Sequence, residues 1–218
     1  DRAGLVGEDG PTHHGIFDLA YLRHIPNLTI MAPKDENELQ HMLFTATKYN
    51  KGPIAVRYPR GTGLGVKLDK EFKELPIGKA EVLKEGENIT LLAIGNMVAT
   101  ALEVAELLEE KGIKSTVINA RFVKPLDRET IINSVKETKC LVTLEEHSLA
   151  GGFGSGILEL CADNNLSPQI LRIGIEDLFP THGNTKKLRE VYGLTPEFIF
   201  EKIINNFSDT SVERVKSI

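Results

Sequence analysis

The sequence predicts an α/β protein with a mostly parallel sheet, and three observations carry that prediction. A strand, helix, strand unit fills residues 28–58; a longer alternation of strands and helices begins after Gly95; and between Gly61 and Pro76 all periodicity lapses. Strands alternating with helices are the pattern of doubly wound sheets. The lapse, Gly-Thr-Gly-Leu-Gly followed by a charged run, is read as a linker. The predicted organisation is a first region at 1–62, the linker at 63–76, a second region at 77–207 and a polar tail at 208–218.

Each element has a local reason. Leu28-Thr29-Ile30-Met31 is a short β-rich run closed by Pro33. Asp35 can cap a helix, with Glu38 three residues later, so 35–49 reads as helical. Leu39, Met42, Leu43 and Ala46 recur at three and four and predict a core-facing stripe. Gly52-Pro53 turns the chain into Ile54 to Tyr58, read as a buried strand ending at Pro59. Beyond the linker, strands are predicted at 79–83 and 89–94 around the turn Glu85-Gly86-Glu87-Asn88. Helix 97–111, strand 115–119, helix 127–137, strand 140–144, helix 152–163, strand 170–173 and helices 184–192 and 196–206 follow.

Composition narrows the function classes. The chain has 218 residues, with 26 Lys plus Arg against 31 Asp plus Glu, 41% hydrophobic and 26% charged. A net charge of −5 argues against a basic nucleic-acid surface. No apolar run approaches the roughly 18 residues of a membrane span, the longest being Ile89 to Ile94. Cys140 and Cys161 allow at most one bridge and no zinc quartet, which favours a reducing compartment and predicts a cytoplasmic location. The chain opens on Asp1 with no basic-then-apolar leader, so no secretory signal is expected and a longer parent protein is.

Chemistry-bearing side chains concentrate at the start. Arg2, Asp9, His13 and His14 share a loop with Gly4, Gly7, Gly10, Gly15 and Pro11. Glycines let backbone approach a ligand, and Pro11 stiffens the turn that presents Thr12 and His13. A carboxylate four residues before an imidazole suits orienting a polyol or moving protons. The competing reading is a solvated loop with incidental histidines. Asp9-Gly10 with Asn37 echoes a Gly-Asp-Gly and Asn magnesium pattern, but Glu8 precedes Asp9 and no strand leads in, so no metal site is read here.

Two later clusters are weighed in the same way. Arg57-Tyr58-Pro59-Arg60-Gly61 leaves the C-terminal end of a strand, where ligands bind in open α/β sheets. Arg60, beyond Pro59, is the better contact for a phosphate or carboxylate; Arg57 is read as pinning the strand end. Gly151-Gly152-Phe153-Gly154-Ser155-Gly156 follows a strand and opens a helix, yet lacks the third glycine and the distal acid of a dinucleotide fingerprint. It is read as close helix packing or as an anion site at the helix N-terminus. Glu145, Glu146 and His147 can be read as an interface or cleft lining, but a solvated strand end is the favoured reading.

Several of these residues also carry a resemblance. Asp1-Arg2-Ala3-Gly4, Asp9-Gly10-Pro11-Thr12-His13, Tyr21-Leu22-Arg23, Arg57-Tyr58-Pro59-Arg60-Gly61, Leu75-Pro76-Ile77-Gly78-Lys79 and Arg121-Phe122-Val123-Lys124-Pro125-Leu126-Asp127 together resemble the 1-deoxy-D-xylulose-5-phosphate synthase family, thiamine diphosphate enzymes of the transketolase superfamily. The resemblance runs to about Phe207. It implies part of a pyrimidine-binding domain followed by a transketolase C-terminal domain, in an enzyme condensing pyruvate with D-glyceraldehyde 3-phosphate to give 1-deoxy-D-xylulose 5-phosphate and carbon dioxide. That product feeds non-mevalonate isoprenoid, thiamine and pyridoxal synthesis. It further implies that Arg2 and Arg60 bind the phosphorylated acceptor, while Asp9 and His13 hold its oxygens or handle protons. Thiamine diphosphate and magnesium belong to the intact enzyme, a homodimer, and their ligands lie in an N-terminal segment of the same protein. None is expected on these 218 residues alone, so this piece by itself is expected to be inactive. A transketolase fragment and a purely structural or dimerisation module are the rival readings.

Overall fold

A computed structural model of the chain describes residues 1–207. The polar tail expected at 208–218 lies outside the described residues. In chain order the elements are α1 (Asp18–Arg23), β1 (Thr29–Met31), α2 (Glu36–Lys48), β2 (Ile54–Val56), β3 (Glu81–Lys84), β4 (Ile89–Ala93), α3 (Met97–Glu109), β5 (Ser115–Asn119), β6 (Phe122–Lys124), α4 (Arg128–Thr138), β7 (Cys140–Ser148), α5 (Phe153–Asp163), β8 (Gln169–Ile175), α6 (Thr185–Val191) and α7 (Pro196–Asn206).

The predicted α/β class holds. A five-stranded sheet has the order β3-β5-β4-β7-β8, parallel except for β3 at one edge. Every residue of β4 and β5 is buried, as expected of parallel strands covered on both faces. Ile89 and Leu91 point with Val117, Val142 and Ile173 toward α3 and α7, where Ile199 and Ile203 complete one core. Leu92, Ile118 and Leu141 point the other way, onto Phe153, Ile157, Ile131 and Val135 of α4 and α5.

The first strand, helix, strand unit also forms: β1 and β2 pair in parallel, and the Asp35 side chain accepts from the Glu38 amide to start α2 between them. β2 is shorter than predicted, 54–56, and half-buried rather than buried, because it lies at the edge of its sheet. The other neighbour of β1 is β6, antiparallel, which sequence reading missed. Three residues carry no readable period, and the pairing partner of Phe122 is Met31. Through β6 and the shared core of Leu19, Leu28 and Ile30 with Leu141 and Phe153, the small sheet docks on the large one.

The predicted stripe on α2 is corrected. Leu43 is 48% exposed, while Glu38, His41, Met42 and Thr45 are buried. The reason is the segment predicted as a linker: it has no helix or strand, yet it is strapped along α2 by polar groups. Glu36 accepts from the amides of Leu64, Gly65 and Val66; His41 Nδ1 accepts from Lys73 and its Nε2 donates to Asp69; Thr45 Oγ1 accepts from the Leu75 amide.

Candidate functional site

The loop 1–15 is built by backbone bonds that close it on itself and on the segment just after β2. Gly4 and Gly15 exchange N–H···O bonds of 2.8 and 2.9 Å, and the Ala3 amide donates to Tyr58, two residues before Arg60. Gly4 and Gly10 both have φ of +74°, which glycine adopts at least cost, and Arg2 is held at φ +68° without that freedom. The Val6 carbonyl then accepts from the amides of both Asp9 and Gly10, forming the tight turn that presents Asp9.

Three of the four predicted site residues meet there. Arg60 donates to the Asp9 carboxylate, and Arg2 Nε lies 3.6 Å from the same oxygen. The Arg60 bond is the leading cause that holds the Asp9 carboxyl below its ordinary range. His13 is exposed beside them, but its ring bonds Thr12 Oγ1 at 2.9 Å, and among the described residues no hydrogen bond joins it to Asp9. The spacing of four therefore does not orient the imidazole; the carboxylate faces guanidinium groups instead. Behind Arg60 opens a cleft of about 640 Å³, lined by Tyr58, Thr62, Thr100 and Lys186 among others.

The other histidine of the loop is structural. His14 is buried, its Nδ1 accepts from Val6 and its Nε2 donates to the Thr181 carbonyl at 3.2 Å. That contact, with the Gly183 amide donating to Gly7, lays the loop before α6 against the candidate site. A Cβ on Gly10 would come 2.8 Å from the Cβ of His182, an imidazole that no local motif singles out. Only the folding of the second region onto the first brings it there.

Beneath the loop lies a buried charged layer. Arg57 is 7% exposed and pins the strand end as read from the sequence: it donates to Asp18 at 2.8 Å, to the Gly15 carbonyl and to the Glu146 carbonyl. The reading of Glu145, Glu146 and His147 as a solvated strand end is wrong, since all three are 1% exposed or less. β7 runs on to Ser148 because each side chain finds a partner inside. Glu145 accepts from the Phe153 and Gly154 amides and so fills the anion position at the start of α5; a Cβ on Gly152 would strike its carboxylate at 2.2 Å. Burial pushes its pKa up to about 7 against the lowering from those amides. Burial, then the Arg57 charge, holds His147 down at about 4, and its Nε2 accepts from the Leu19 amide.

The residues present do not fit a magnesium and diphosphate site by themselves. Among the described residues no group of three or more His, Cys, Asp or Glu side chains could hold a metal ion. The starts of α2, α4, α6 and α7 are capped by their own Asp35, Asp127, Asn184 and Thr195, and α5 by Glu145. Cys140 and Cys161 are both buried and are not joined in a disulfide. No helix of the described residues is long and apolar enough to cross a membrane.

Comparison with known proteins bears on this geometry. The sequence profile of the transketolase C-terminal domain matches residues 78–199, more than half of the chain, and that of the transketolase pyrimidine-binding domain matches residues 1–63. The chain belongs to the transketolase family. Within the family the chain is 60% identical over 195 residues to 1-deoxy-D-xylulose-5-phosphate synthase of Heliobacterium modesticaldum, covering 89% of this chain and 30% of the relative. It is 56% identical over 195 residues to 1-deoxy-D-xylulose-5-phosphate synthase 1 of Geobacter sulfurreducens, with the same coverage. It thus spans about a third of the length of the curated relatives it matches. A solved split-gene transketolase, described as an inactive β4 tetramer, superposes with a TM-score of 0.81 at 32% identity, over 91% of this chain and 64% of that one.

Proposed function

We propose that this chain is the acceptor-binding part of a 1-deoxy-D-xylulose-5-phosphate synthase, acting within a longer protein that joins pyruvate to D-glyceraldehyde 3-phosphate with loss of carbon dioxide. The observation that carries the reading is the convergence of Arg2 and Arg60, from separate loops, on Asp9 beside the exposed His13. Similarity to synthases at 56–60% identity supports the same reaction.

In this reading the residues of the chain work as follows. Arg60, whose planar fork donates in pairs, binds the phosphate of the acceptor, with Arg2 contributing charge. Asp9, kept ionised by Arg60, accepts from an acceptor hydroxyl. His13 donates a proton to the aldehyde oxygen as that oxygen gains negative charge during carbon–carbon bond formation. Thiamine diphosphate, when bound, supplies the electron sink for decarboxylation. The cofactor and its magnesium are held by an N-terminal segment of the same protein, in a cytoplasmic homodimer, and the two regions meet at a linker spanning 63–76. The product serves isoprenoid, thiamine and pyridoxal precursor synthesis.

The chain alone is inactive in this reading, and the inactive β4 tetramer of the split-gene transketolase supports that expectation. The test supplies the remaining domains and replaces Arg60 by Lys. Use of the phosphorylated aldehyde falls much more than use of pyruvate. Equal losses for both substrates would return this chain to a structural or dimerisation role. Turnover with a ketose donor in place of pyruvate would favour a transketolase.

A further inference from the structure

The loop that carries Arg2 and Asp9 rests on one buried side chain from the second region. Glu146, near the end of β7, is 1% exposed and splits its two carboxylate oxygens between different duties. Oε1 accepts from the Leu5 amide at 2.8 Å. Oε2 accepts from Asn96 Nδ2 at 2.7 Å and from Arg189 Nε and Nη2 at 2.9 and 2.6 Å. Asn96 stands at the start of α3 but makes no side-chain cap there; its amide is spent on Glu146.

The consequences run outward along the chain. Leu5 precedes Val6, whose carbonyl holds the amides of Asp9 and Gly10. Gly4, on the other side, lies so close that a Cβ would meet Glu146 Oε1 at 2.6 Å, so the carboxylate also dictates the path from Arg2 to Leu5. An apolar pair of similar volume could fill this place with equal or greater stability. What the ion pair adds is direction, one oxygen to the loop and the other to α3 and α6.

We propose that Glu146, itself oriented by Arg189, is a positioning residue for acceptor recognition: it sets the backbone from Arg2 to Asp9 and touches no substrate. The proposal rests on the reading of Arg2 and Asp9 as acceptor contacts. It gives the second region a part in specificity beyond support.

The test has two arms. In this chain, Arg189→Met leaves Glu146 with two of its donors lost and is expected to reduce hydrogen-exchange protection of the amides at 4–10, with Arg189→Lys restoring part of it. Glu146→Gln, which turns an amide N–H₂ toward a donor, has the same local effect if it folds. In the protein with its remaining domains, Arg189→Met is expected to lower kcat/KM for the phosphorylated aldehyde about 10- to 100-fold, the scale of a misplaced contact, while acceptor-free decarboxylation of pyruvate stays within about twofold. Unchanged protection at 4–10 overturns the proposal. So does an equal loss in both half-reactions that tracks a lower Tm. If the unsubstituted protein makes no product from pyruvate and the aldehyde phosphate, the proposed function fails. The exchange arm still decides whether Glu146 positions the loop.

Discussion

The Arg60 guanidinium donates to the Asp9 carboxylate although 51 positions of sequence separate them. Each is partly open to water, Arg60 at 49% and Asp9 at 26% of the side chain, so the bond is poised for exchange with a ligand. An incoming phosphate can take over the guanidinium without the cost of exposing a buried charge.

That exposure separates stability from function at this pair. Asp9→Asn and Arg60→Met are expected to leave the urea midpoint of the chain essentially unchanged, as for other surface ion pairs. The same substitutions are expected to abolish use of the phosphorylated aldehyde. Chemical denaturation of the chain and steady-state kinetics of the complete protein check the two halves.

Arg57 is the opposite case. It is buried and spends its donors on Asp18, Gly15 and Glu146, so Arg57→Met leaves Asp18 without its ion-pair partner and takes a donor from the carbonyls of Gly15 and Glu146, although Gly15 keeps the Gly4 amide. A loss of about 3–5 kcal/mol is expected for one partner removed from such a network, read as a lower urea midpoint at unchanged slope. Arg57→Lys restores the charge without the paired donors and recovers only part.

Gly4→Ala adds a Cβ at φ +74° against the Glu146 carboxylate. The strain and the contact together are expected to cost about 1–3 kcal/mol. The variant also shifts the Leu5 amide, which heteronuclear NMR reports directly.

Glu145 and His147 oppose one another in their pH dependence. The folded pKa of His147 is depressed to about 4, so the unfolded chain binds more protons below its ordinary 6.5 and stability falls as pH drops through that window. The folded pKa of Glu145 is raised to about 7 from 4.5, so its contribution is fully present below pH 4.5 and is lost as pH rises toward 7. The charged groups facing them are Asp18, Arg57 and Arg172. In thermal melts between pH 4.5 and 6.5 the two contributions are expected to oppose one another. His147→Gln then tilts the profile toward acid and Glu145→Gln toward neutral pH, each on the order of 1 kcal/mol across the window. Parallel profiles for all three chains contradict this.

His13 is expected to act at the acceptor step. In single turnovers of the complete protein, His13→Ala slows product formation while acceptor-free carbon dioxide release is retained. A decarboxylation slowed to the same degree removes His13 from bond formation.

What the sequence by itself determined is local. Asp35 with Glu38 started α2, the runs at 89–93 and 115–119 defined buried strands, and the run after Gly52-Pro53 gave a strand followed by a loop that carries Arg60; each depends on residues within a few positions of one another. The family pattern in 1–15 and 57–61 was likewise readable as strings of residues. The tertiary structure alone decided which groups meet. It set Asp9 against Arg60 rather than His13, buried Glu145, Glu146 and His147, paired β6 with β1, and turned a polar face of α2 inward under the strap of 63–76. Charged residues read as solvent-facing because burial of a charge is costly without partners. Their partners here, Leu5, Arg57, Phe153 and Arg189, come from elements far apart in the chain, and no local pattern announces them.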